Sequence, residues 1–583
     1  MLRFAEPDAA QVHRRRWAIL ALLCTSLLIV VVGNTTLNVT LPTLSRELGA
    51  TESQLQWVVA IYSLVFAGLL FTTGALGDRF GRKGALQLGL VIFLVGSILA
   101  SMGTTMTQLI VCRALMGVGA SLIMPSTLSI LINVFPAHER PKAIAIWASV
   151  TGAGGSLGPL ISGALLAHFW WGSVFLVNVP LVVGAIVVGV FLMPRSRDPH
   201  KAPLDPLGAV LSTIGIVAIV YALIEAPSKG WASTETIVSA LFGVLFLIGF
   251  VAWERHTPEP MLDMAYFKVR AFSTGVGGMI FVFVAIYGQF FLLSQYFQQV
   301  LGYSPLGASA RLLPTGLVIV LVAPSTPRIT AKLGGNWTVG LGMTLLGLAL
   351  LSFALLTTTS PYWQVLASMT PMAAGIALTS SPMTSAIMSA VPARRAGAGS
   401  SMNDATRELG SALGIAILGS LAASRYSSAI GSALGGIADP GGQSRAKGSL
   451  AGAIDEAAKL PDAARRALVD AASNAFVDGL HLAVIVGGIG ALAAAVFVVK
   501  YLPRTVVHEG ALHSAAEALE AEVELLIGGV MPIVEDDVHA AKGDVVNTFG
   551  HARRRGDGVD DGYDDERVAE RRGLDDDLAD EPR

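Results

Sequence analysis

The sequence predicts an all-α polytopic membrane protein with fourteen spanning helices. Of its 583 residues, 53% are hydrophobic and only 14% are charged, and the mean hydropathy is +0.62. Soluble domains carry about 25% charged residues, so this much apolar surface requires the lipid bilayer as part of its solvent. The 63 glycines agree with this class, because glycine permits the close helix contacts that are common inside membranes.

Fourteen segments are long and apolar enough to span a bilayer, which takes about 20 residues. The first follows three arginines, is too long for a signal-peptide core, and places residues 1–16 in the cytoplasm. The segments are 17–40, 55–76, 85–101, 109–132, 143–166, 171–193, 207–224, 236–253, 272–297, 307–325, 339–357, 362–388, 402–422 and 476–499.

Charges in the connecting loops support this count, because cytoplasmic loops of bacterial membrane proteins are enriched in Lys and Arg. With residues 1–16 inside, the short outward loops hold only Arg46 and Lys229. The basic residues of the inward loops are Arg79, Arg82, Lys83, Arg140, Lys142, Arg195, Arg197, Lys201, Arg255, Lys268, Arg270, Arg328, Lys332, Arg394 and Arg395. We therefore expect both termini in the cytoplasm of a bacterial inner-membrane protein.

The spans group as six, two and six. A basic loop at 74–84 follows the second span, and a shorter one at 327–334 follows the tenth, which indicates an internal repeat. Such repeats are typical of secondary transporters. The predicted units are residues 17–193, an inserted helix pair at 207–253, residues 272–499 with an extracytoplasmic loop at 424–475, and a cytoplasmic tail at 503–583.

Two segments outside the spans are polar. Residues 449–478 are expected to form an exposed helix or hairpin in the long loop. Residues 509–526 have the pattern of an amphipathic helix, and the acidic chain beyond residue 535 has the composition of a disordered segment. A solvated tail is the favoured interpretation, and a docking or regulatory element is the alternative.

Several function classes are excluded or disfavoured. No lysine follows a glycine in this sequence, so the phosphate-binding loop of an ATPase is absent. The driving force must then be an ion gradient, the membrane potential or a substrate gradient. Cys24 and Cys112 lie in apolar runs and are expected to be buried thiols, with no disulfide framework or metal site. No enzymatic constellation, cofactor or nucleic-acid partner is expected.

Arg113 lies about one turn inside the fourth span, where a charge costs about 2.5–3.5 kcal/mol on insertion scales and needs a partner or water. It shares the close-packing face with Gly117 and Ser121. A functional role is favoured; a structural arginine bound to helix-end carbonyls is the alternative.

In the fifth span, small residues and Pro159 form two adjacent rows, which suits a helix that shifts against its neighbours. Static packing is the alternative.

The thirteenth span carries Asp404, Arg407 and Glu408 on one face with Ser411. Asp404 lies about 13 Å deep at 1.5 Å per residue, so these groups must face the protein interior. We expect one carboxylate to pair with Arg407 and the other to carry a proton or cation. A permanently neutralised structural cluster is the alternative.

The ninth span is aromatic, and Phe283, Tyr287 and Phe291 share a face near Gln289. Such a wall can hold a flat lipophilic cation by cation–π contact, although ordinary helix packing is the favoured interpretation.

Together these segments resemble the fourteen-span drug:proton antiporter branch of the major facilitator superfamily, over about residues 15–502. The loop 74–84 is similar to the superfamily's loop motif. This resemblance implies two six-helix bundles plus two inserted helices, and it makes Asp78 and Arg82, with Gly77 and Gly81, gate residues. Arg113 lies where that branch has its proton-relay arginine.

Two further stretches carry the resemblance. Residues 154–163 resemble the antiporter motif, although Ser162 stands where glycine is usual. Residues 295–305 also look like that branch. The matching small residues of the antiporter motif are Gly154, Gly158, Pro159 and Gly163.

The first span departs from the pattern. Residues 38–42 resemble the end of the first-span motif, but Gly33 stands where an acidic residue is usual. The resemblance then assigns proton coupling to Arg113 and to the Asp404, Arg407 and Glu408 cluster, and a neutral or lipid-like substrate stays open. The predicted substrate cavity is lined by Asn34, Asn38, Tyr287, Gln289 and Phe291.

The predicted function is proton-coupled export of small amphipathic compounds by alternating access, with protons and membrane lipids as the other partners. One alternative is a dedicated exporter or flippase of a cell-envelope lipid or metabolite. Another is a membrane sensor or scaffold that acts through the long loop and the acidic tail.

Overall fold

The chain folds into long helices joined by short connections. The structure, a computed structural model, describes residues 9–136, 139–194, 205–258, 260–391, 396–437 and 439–504. The first eight α-helices, which we call the N-terminal helices, are α1 (Ala9–Thr35), α2 (Leu37–Leu48), α3 (Glu52–Phe80), α4 (Arg82–Ser101), α5 (Met106–Val134), α6 (Arg140–His168), α7 (Ser173–Leu176) and α8 (Asn178–Leu192).

Two helices, α9 (Pro206–Lys229) and α10 (Thr234–His256), separate this group from the rest. The remaining helices, which we call the C-terminal helices, are α11 (Arg270–Gln295), α12 (Pro305–Val322), α13 (Thr326–Leu333), α14 (Gly335–Phe353), α15 (Tyr362–Ser389), α16 (Ala396–Ala429), α17 (Pro440–Gly448), α18 (Leu450–Ala457) and α19 (Asp462–Tyr501).

Each of the fourteen predicted spans overlaps a helical segment, although 17–40 extends from α1 into α2 and 171–193 covers both α7 and α8. Within the described residues, twelve helices are long and apolar enough to cross a membrane. The two other long helices are α6, of 29 residues, and α15, of 28 residues, which contains Pro371 and Pro382. The all-α, multi-span class predicted from the sequence is therefore confirmed.

Successive long helices run in opposite directions because their connections are short. The turn between α3 and α4, with Arg82, and α13, with Lys332, lie at the same end, which we call the basic end. At this end Gly81 has a φ of +119° and Gly334 a φ of +89°. Glycine adopts such angles without steric cost. The shared turn geometry agrees with the weak repeat between the two loops.

The connection at 424–475 is more helical than expected. Helix α16 continues to Ala429, α19 begins at Asp462, and α17 and α18 lie between them. Part of this connection is buried rather than exposed, because the Tyr426 hydroxyl donates to the carbonyls of Ala446 (2.8 Å) and Ser449 (3.0 Å) and draws the two short helices onto the bundle. The amphipathic helix predicted at 509–526 lies outside the described residues.

Contacts between the N-terminal and C-terminal helices run along two lines. Helix α3 packs against α16, and α6 packs against α12. Helix α9 packs against both α3 and α16, with a small apolar cluster that includes Ala60, Val220 and Ala412. By contrast, α10 exposes large apolar side chains such as Leu241 and Leu245, as a lipid-facing helix does. The polar residues singled out in the sequence lie near the α3–α16 line.

Candidate functional site

The predicted gate residues form a compact turn at the basic end. The Arg82 guanidinium lies 2.6 Å from the Asp78 carboxylate, one helical turn earlier. Gly81 makes the turn, and Gly77 leaves room for Ala85, because a Cβ on Gly77 would lie 3.3 Å from the Ala85 side chain. The predicted Asp78–Arg82 association is therefore present in this state of the protein.

Lys83, which was predicted only as a basic residue of an inward loop, connects the same turn to a neighbouring helix. Its ammonium donates to the carbonyls of Val190 (2.7 Å) and Met193 (2.8 Å) at the end of α8. A cation is favourable there, because the last carbonyls of a helix are unpaired and carry partial negative charge.

Arg113 is fully buried on α5, and main-chain carbonyls hold it. Its Nε donates to the Val58 carbonyl (3.2 Å) and one terminal nitrogen to the Gly33 carbonyl (2.8 Å). The guanidinium carbon lies 4.3 Å from the centre of the Tyr62 ring, a cation–π contact. The second terminal nitrogen has no hydrogen-bond partner. The arrangement supports both interpretations of Arg113: carbonyls hold the arginine, and one donor is left free.

Glu408 joins α16 to the N-terminal helices. The Asn34 side-chain amide donates to its carboxylate at 3.4 Å. The buried Ser63 hydroxyl lies beside the same carboxylate, and Arg113 and Tyr62 lie near it. One face of α16 thus meets α1, α3 and α5 at a buried polar group consisting of these five residues, which we call the central polar group.

The contacts of Asp404 and Arg407 differ from the predicted ion pair. Within the described residues, Arg407 forms no ion pair with either carboxylate. Its guanidinium lies instead 5.6 Å from the centre of the Phe283 ring, and its Nε has no partner. The Asn403 amide donates to Asp404 at 3.4 Å. Arg407 therefore lies near both carboxylates without forming the predicted ion pair, and its guanidinium faces the Phe283 ring.

Gly33, which stands where an acidic residue is usual in the first span, is closely packed against another helix. A Cβ on Gly33 would lie 2.7 Å from Cζ of the Phe93 ring, so a side chain at this position meets an aromatic ring at once. The Gly33 carbonyl is one of the two that bind Arg113. Arg113 therefore donates to a main-chain oxygen at the position where the sequence lacks a carboxylate.

The small residues of α6 face two different helices. A Cβ on Gly154 would lie 2.9 Å from Val31, and one on Gly158 would strike Thr35, so this row packs on α1. A Cβ on Gly163 would lie 2.9 Å from Leu306 Cα, so the second row meets α12 among the C-terminal helices. Pro159 lies inside α6 between them.

The predicted cavity residues lie on α11, at the end of α1 and at the start of α2. Tyr287 stacks on Phe283, with ring centres 6.0 Å apart, and Phe291 is fully buried one turn further on. Gln289 points away from this wall, is fully buried, and has neither amide atom bonded. Asn38 is buried with its side-chain oxygen unpartnered. The structure brings Tyr287 and Phe291 together and separates Gln289 from them.

No group of three or more metal-ligating side chains occurs within the described residues.

Comparison with known proteins identifies the family. Residues 23–415 match the model of the Major Facilitator Superfamily. The chain belongs to the Major Facilitator Superfamily.

Two curated members of the superfamily are similar over most of this chain. The multidrug efflux pump LfrA of Mycolicibacterium smegmatis is 34% identical over 84% of this chain and 97% of its own length. The methyl viologen resistance protein SmvA of Salmonella typhimurium is 35% identical over 79% of this chain and 93% of its own. The chain is thus a transporter, as predicted, and these relatives are named for multidrug efflux and for methyl viologen resistance.

A solved superfamily structure shows the same fold. A bacterial homologue of the human lysosomal transporter Spinster, in an inward-facing and unoccupied conformation, superposes with a TM-score of 0.57. The match covers 83% of this chain and 98% of that chain at 17% identity, so it supports the fold alone.

Sequence reasoning missed several residues of this superfamily member's central region. Tyr62 is fully buried, donates its hydroxyl to the Val30 carbonyl (3.1 Å) and lies against Arg113. Phe93 fills the space at Gly33. The one signal available was a tyrosine within an apolar span, since a buried tyrosine hydroxyl needs a partner.

Proposed function

We propose that this protein exports small amphipathic compounds in exchange for protons, by alternating access between the two sides of a bacterial inner membrane. The observation that carries the proposal is the central polar group. Glu408 on α16 lies within reach of Arg113, Tyr62, Ser63 and Asn34, which come from the N-terminal helices. Burying an ionisable side chain inside a membrane domain is energetically unfavourable. Such residues are therefore rare and commonly mark ion and proton pathways.

The proposed architecture has fourteen spans, arranged as two six-helix bundles at 17–193 and 272–499 with an inserted pair at 207–253. Adding α6 and α15 to the twelve apolar candidates gives fourteen, since each of these two helices has the length of a span. The basic end faces the cytoplasm, because its loops carry most of the Lys and Arg. Both termini then lie in the cytoplasm.

Glu408 is the proposed proton carrier, and Arg113 is the residue that responds to its charge. An ionised Glu408 attracts Arg113 across the α5–α16 boundary, and a protonated one does not. Proton binding therefore weakens an attraction between the N-terminal and C-terminal helices. Asp404, on the same face of α16, is proposed to pass protons between Glu408 and the basic end, with Arg407 favouring its charged form.

Two features couple this change to movement. The small residues of α6 let α1 and α12 approach closely, and Gly163 meets α12 directly, so α6 is the proposed sliding surface. The Asp78–Arg82 pair, at 2.6 Å, is the proposed latch of the cytoplasmic gate. Proton binding at Glu408 changes the free energies of the conformations open to the two sides of the membrane by different amounts, and so shifts the balance between them.

The substrate class follows from the lining of α11 and from relatives. The Phe283–Tyr287 stack offers aromatic faces to a flat lipophilic molecule. The names of LfrA and SmvA record multidrug efflux and methyl viologen resistance. Because Gly33 provides no carboxylate, neutral amphiphiles belong in the proposed range beside lipophilic cations.

The test is substrate-driven proton release from acidified everted membrane vesicles, with a panel of lipophilic cations and neutral amphiphiles. We expect release with the wild type and its loss in Glu408→Gln and Asp404→Asn. Glu225→Gln is the matched control, because Glu225 on α9 bonds Trp57 outside the central polar group. Absence of a response to every compound in folded protein would contradict drug export and favour a dedicated lipid or metabolite exporter.

A further inference from the structure

At the end opposite the basic loops, four hydrogen bonds join the N-terminal helices directly to the C-terminal helices. We call this set the polar seam. Its bonds run from Ser294 Oγ to the Asn38 carbonyl (2.6 Å), from Gln298 Nε2 to the Val39 carbonyl (2.9 Å), from Gln295 Nε2 to Glu52 Oε1 (3.0 Å) and from Ser420 Oγ to Gln56 Oε1 (3.1 Å).

A proline makes one of these bonds possible. In an α-helix the carbonyl of Asn38 would accept from the N–H four residues later, but that residue is Pro42, which has no N–H. The Asn38 carbonyl is therefore free to accept the Ser294 hydroxyl from α11. The interruption of α2 at Pro42 thus provides a binding point for the opposite helix group.

The Glu52–Gln295 bond differs from the others in two ways. It joins two side chains, so substitution can remove it without disturbing the backbone. Its acceptor is a carboxyl group, which a single substitution to glutamine converts into an amide of the same size. Glu52 lies in the first turn of α3, where the helix dipole favours a negative charge.

Glu52 also lies near the connection between α16 and α19. The buried Tyr426 side chain of α16 lies near Glu52, and its hydroxyl donates to the Ala446 and Ser449 carbonyls. Glu52 therefore lies where α3, the end of α11 and the end of α16 meet, so movement of either helix group away from the other stretches its bond to Gln295.

We propose that Glu52 and Gln295 form the latch that holds the gate shut at the end opposite the basic loops. The inference rests on alternating access, and it adds two positioning residues that act away from the proton and substrate groups. When the latch bond is lost, the arrangement open at this end becomes more populated and the buried Asn38 becomes accessible from that side.

The test measures access to Asn38 directly. In a background with Cys24→Ala and Cys112→Ala, Asn38→Cys supplies the single thiol; its side-chain oxygen has no hydrogen bond to lose. A membrane-impermeant maleimide is added to intact cells. We expect Glu52→Ala and Gln295→Ala each to raise the labelling rate about tenfold, the effect of losing one buried hydrogen bond.

Two further variants separate the latch from general loosening. The exchange Glu52→Gln with Gln295→Glu rebuilds the bond with its direction reversed and should return labelling close to the wild-type rate. Glu47→Ala, at an exposed position of the same end, should leave labelling unchanged. Unchanged labelling in both alanine variants, failure of the exchange to restore it, or an equal rise in Glu47→Ala would each overturn the latch. The assay uses neither substrate nor proton gradient, so such a failure leaves the proposed transport function standing.

Discussion

Asn34 Nδ2 donates to Glu408 Oε2 at 3.4 Å, and this one contact joins α1 to α16 at the middle of the protein. Asn34 neighbours Gly33, whose carbonyl binds Arg113. A short stretch of α1 therefore touches both the basic and the acidic member of the central polar group. Any change in the charge of Glu408 is transmitted to α1 through this amide.

Asn34→Ala should reduce substrate-driven proton release about fivefold, because a hydrogen bond to a carboxylate contributes about 1.5–3 kcal/mol and this one is long. The measurement is initial proton flux in everted vesicles at matched protein levels. Asn133→Ala is the control, since the exposed Asn133 side chain donates to the Ser129 carbonyl of its own helix, away from the central polar group. An equal loss in both variants would show that the Glu408 contact is not the cause.

Arg113→Leu should lower thermal stability and abolish proton coupling. It removes two hydrogen bonds, to Val58 and Gly33, and leaves both carbonyls in an apolar interior. Tyr62→Phe keeps the ring beside the guanidinium and loses only the bond to Val30. It should therefore cost about 1 kcal/mol and retain transport.

Melting of the detergent-solubilised protein, followed by tryptophan fluorescence, checks both changes. If Tyr62→Phe were as damaging as Arg113→Leu, the tyrosine hydroxyl rather than the arginine would organise the group.

The sequence was informative where signals are local. Span lengths and apolar runs predicted the helices. The family resemblance singled out Asp78 and Arg82, whose contact forms across the turn at Gly81. The contacts of Arg113 and Arg407 were not predictable. Their partners, the Gly33 carbonyl and the Phe283 ring, come from helices far away in sequence, and no local period reports which helices pack together.

The long connection at 424–475 shows the same limit. Its mixed charge and its Gly and Ala content indicated exposure, yet Ala446 and Ala453 are fully buried. Small side chains allow two short helices to lie against the bundle, and Tyr426, which bonds to them, lies in the unpredicted continuation of α16. Composition alone does not distinguish a small residue in solvent from one in a tight contact.

Gly33→Ala should lower the melting temperature, and Gly33→Asp should prevent stable folding. Even one methyl group would lie 2.7 Å from the Phe93 ring edge, so α1 and α4 must separate or the ring must turn. Phe93→Leu in combination with Gly33→Ala should recover part of the loss, because the smaller side chain vacates that space. Lack of any recovery in the double variant would contradict the contact as the source of the cost.

Gly163→Ala should impair transport far more than Gly155→Ala. A Cβ at 163 meets the backbone of α12, which cannot yield as a flexible side chain can, whereas a Cβ at 155 meets nothing within 4 Å. Both variants change one glycine of α6 to alanine, so they share any effect of helix propensity. The measurement is the transport rate at equal membrane content. Equal rates would show that the α6–α12 contact does not limit the conformational change.

Acidification should loosen the connection formed by α17 and α18. The ammonium of Lys459 and the guanidinium of Arg445 hold the pKa of Glu456 below its ordinary value of 4.5, and the main-chain N–H groups of Gly441 and Gly442 lower that of Asp439. A lowered pKa in the folded state gives stabilisation that is complete above the ordinary value and is lost as the pH falls through the folded-state value.

The measurement is hydrogen exchange of residues 440–457, corrected for intrinsic rates, from pH 7 to pH 3. We expect constant protection down to about pH 5 and a progressive loss below it, since the ordinary pKa values of Asp and Glu lie near 4. Glu456→Gln should be less protected already at pH 7 and less sensitive to acid, because an uncharged amide attracts neither cation. Asp470→Asn, at an exposed position of α19, should follow the wild type. If Glu456→Gln kept the wild-type profile, the ion pairs with Lys459 and Arg445 would not be what holds this connection against the bundle.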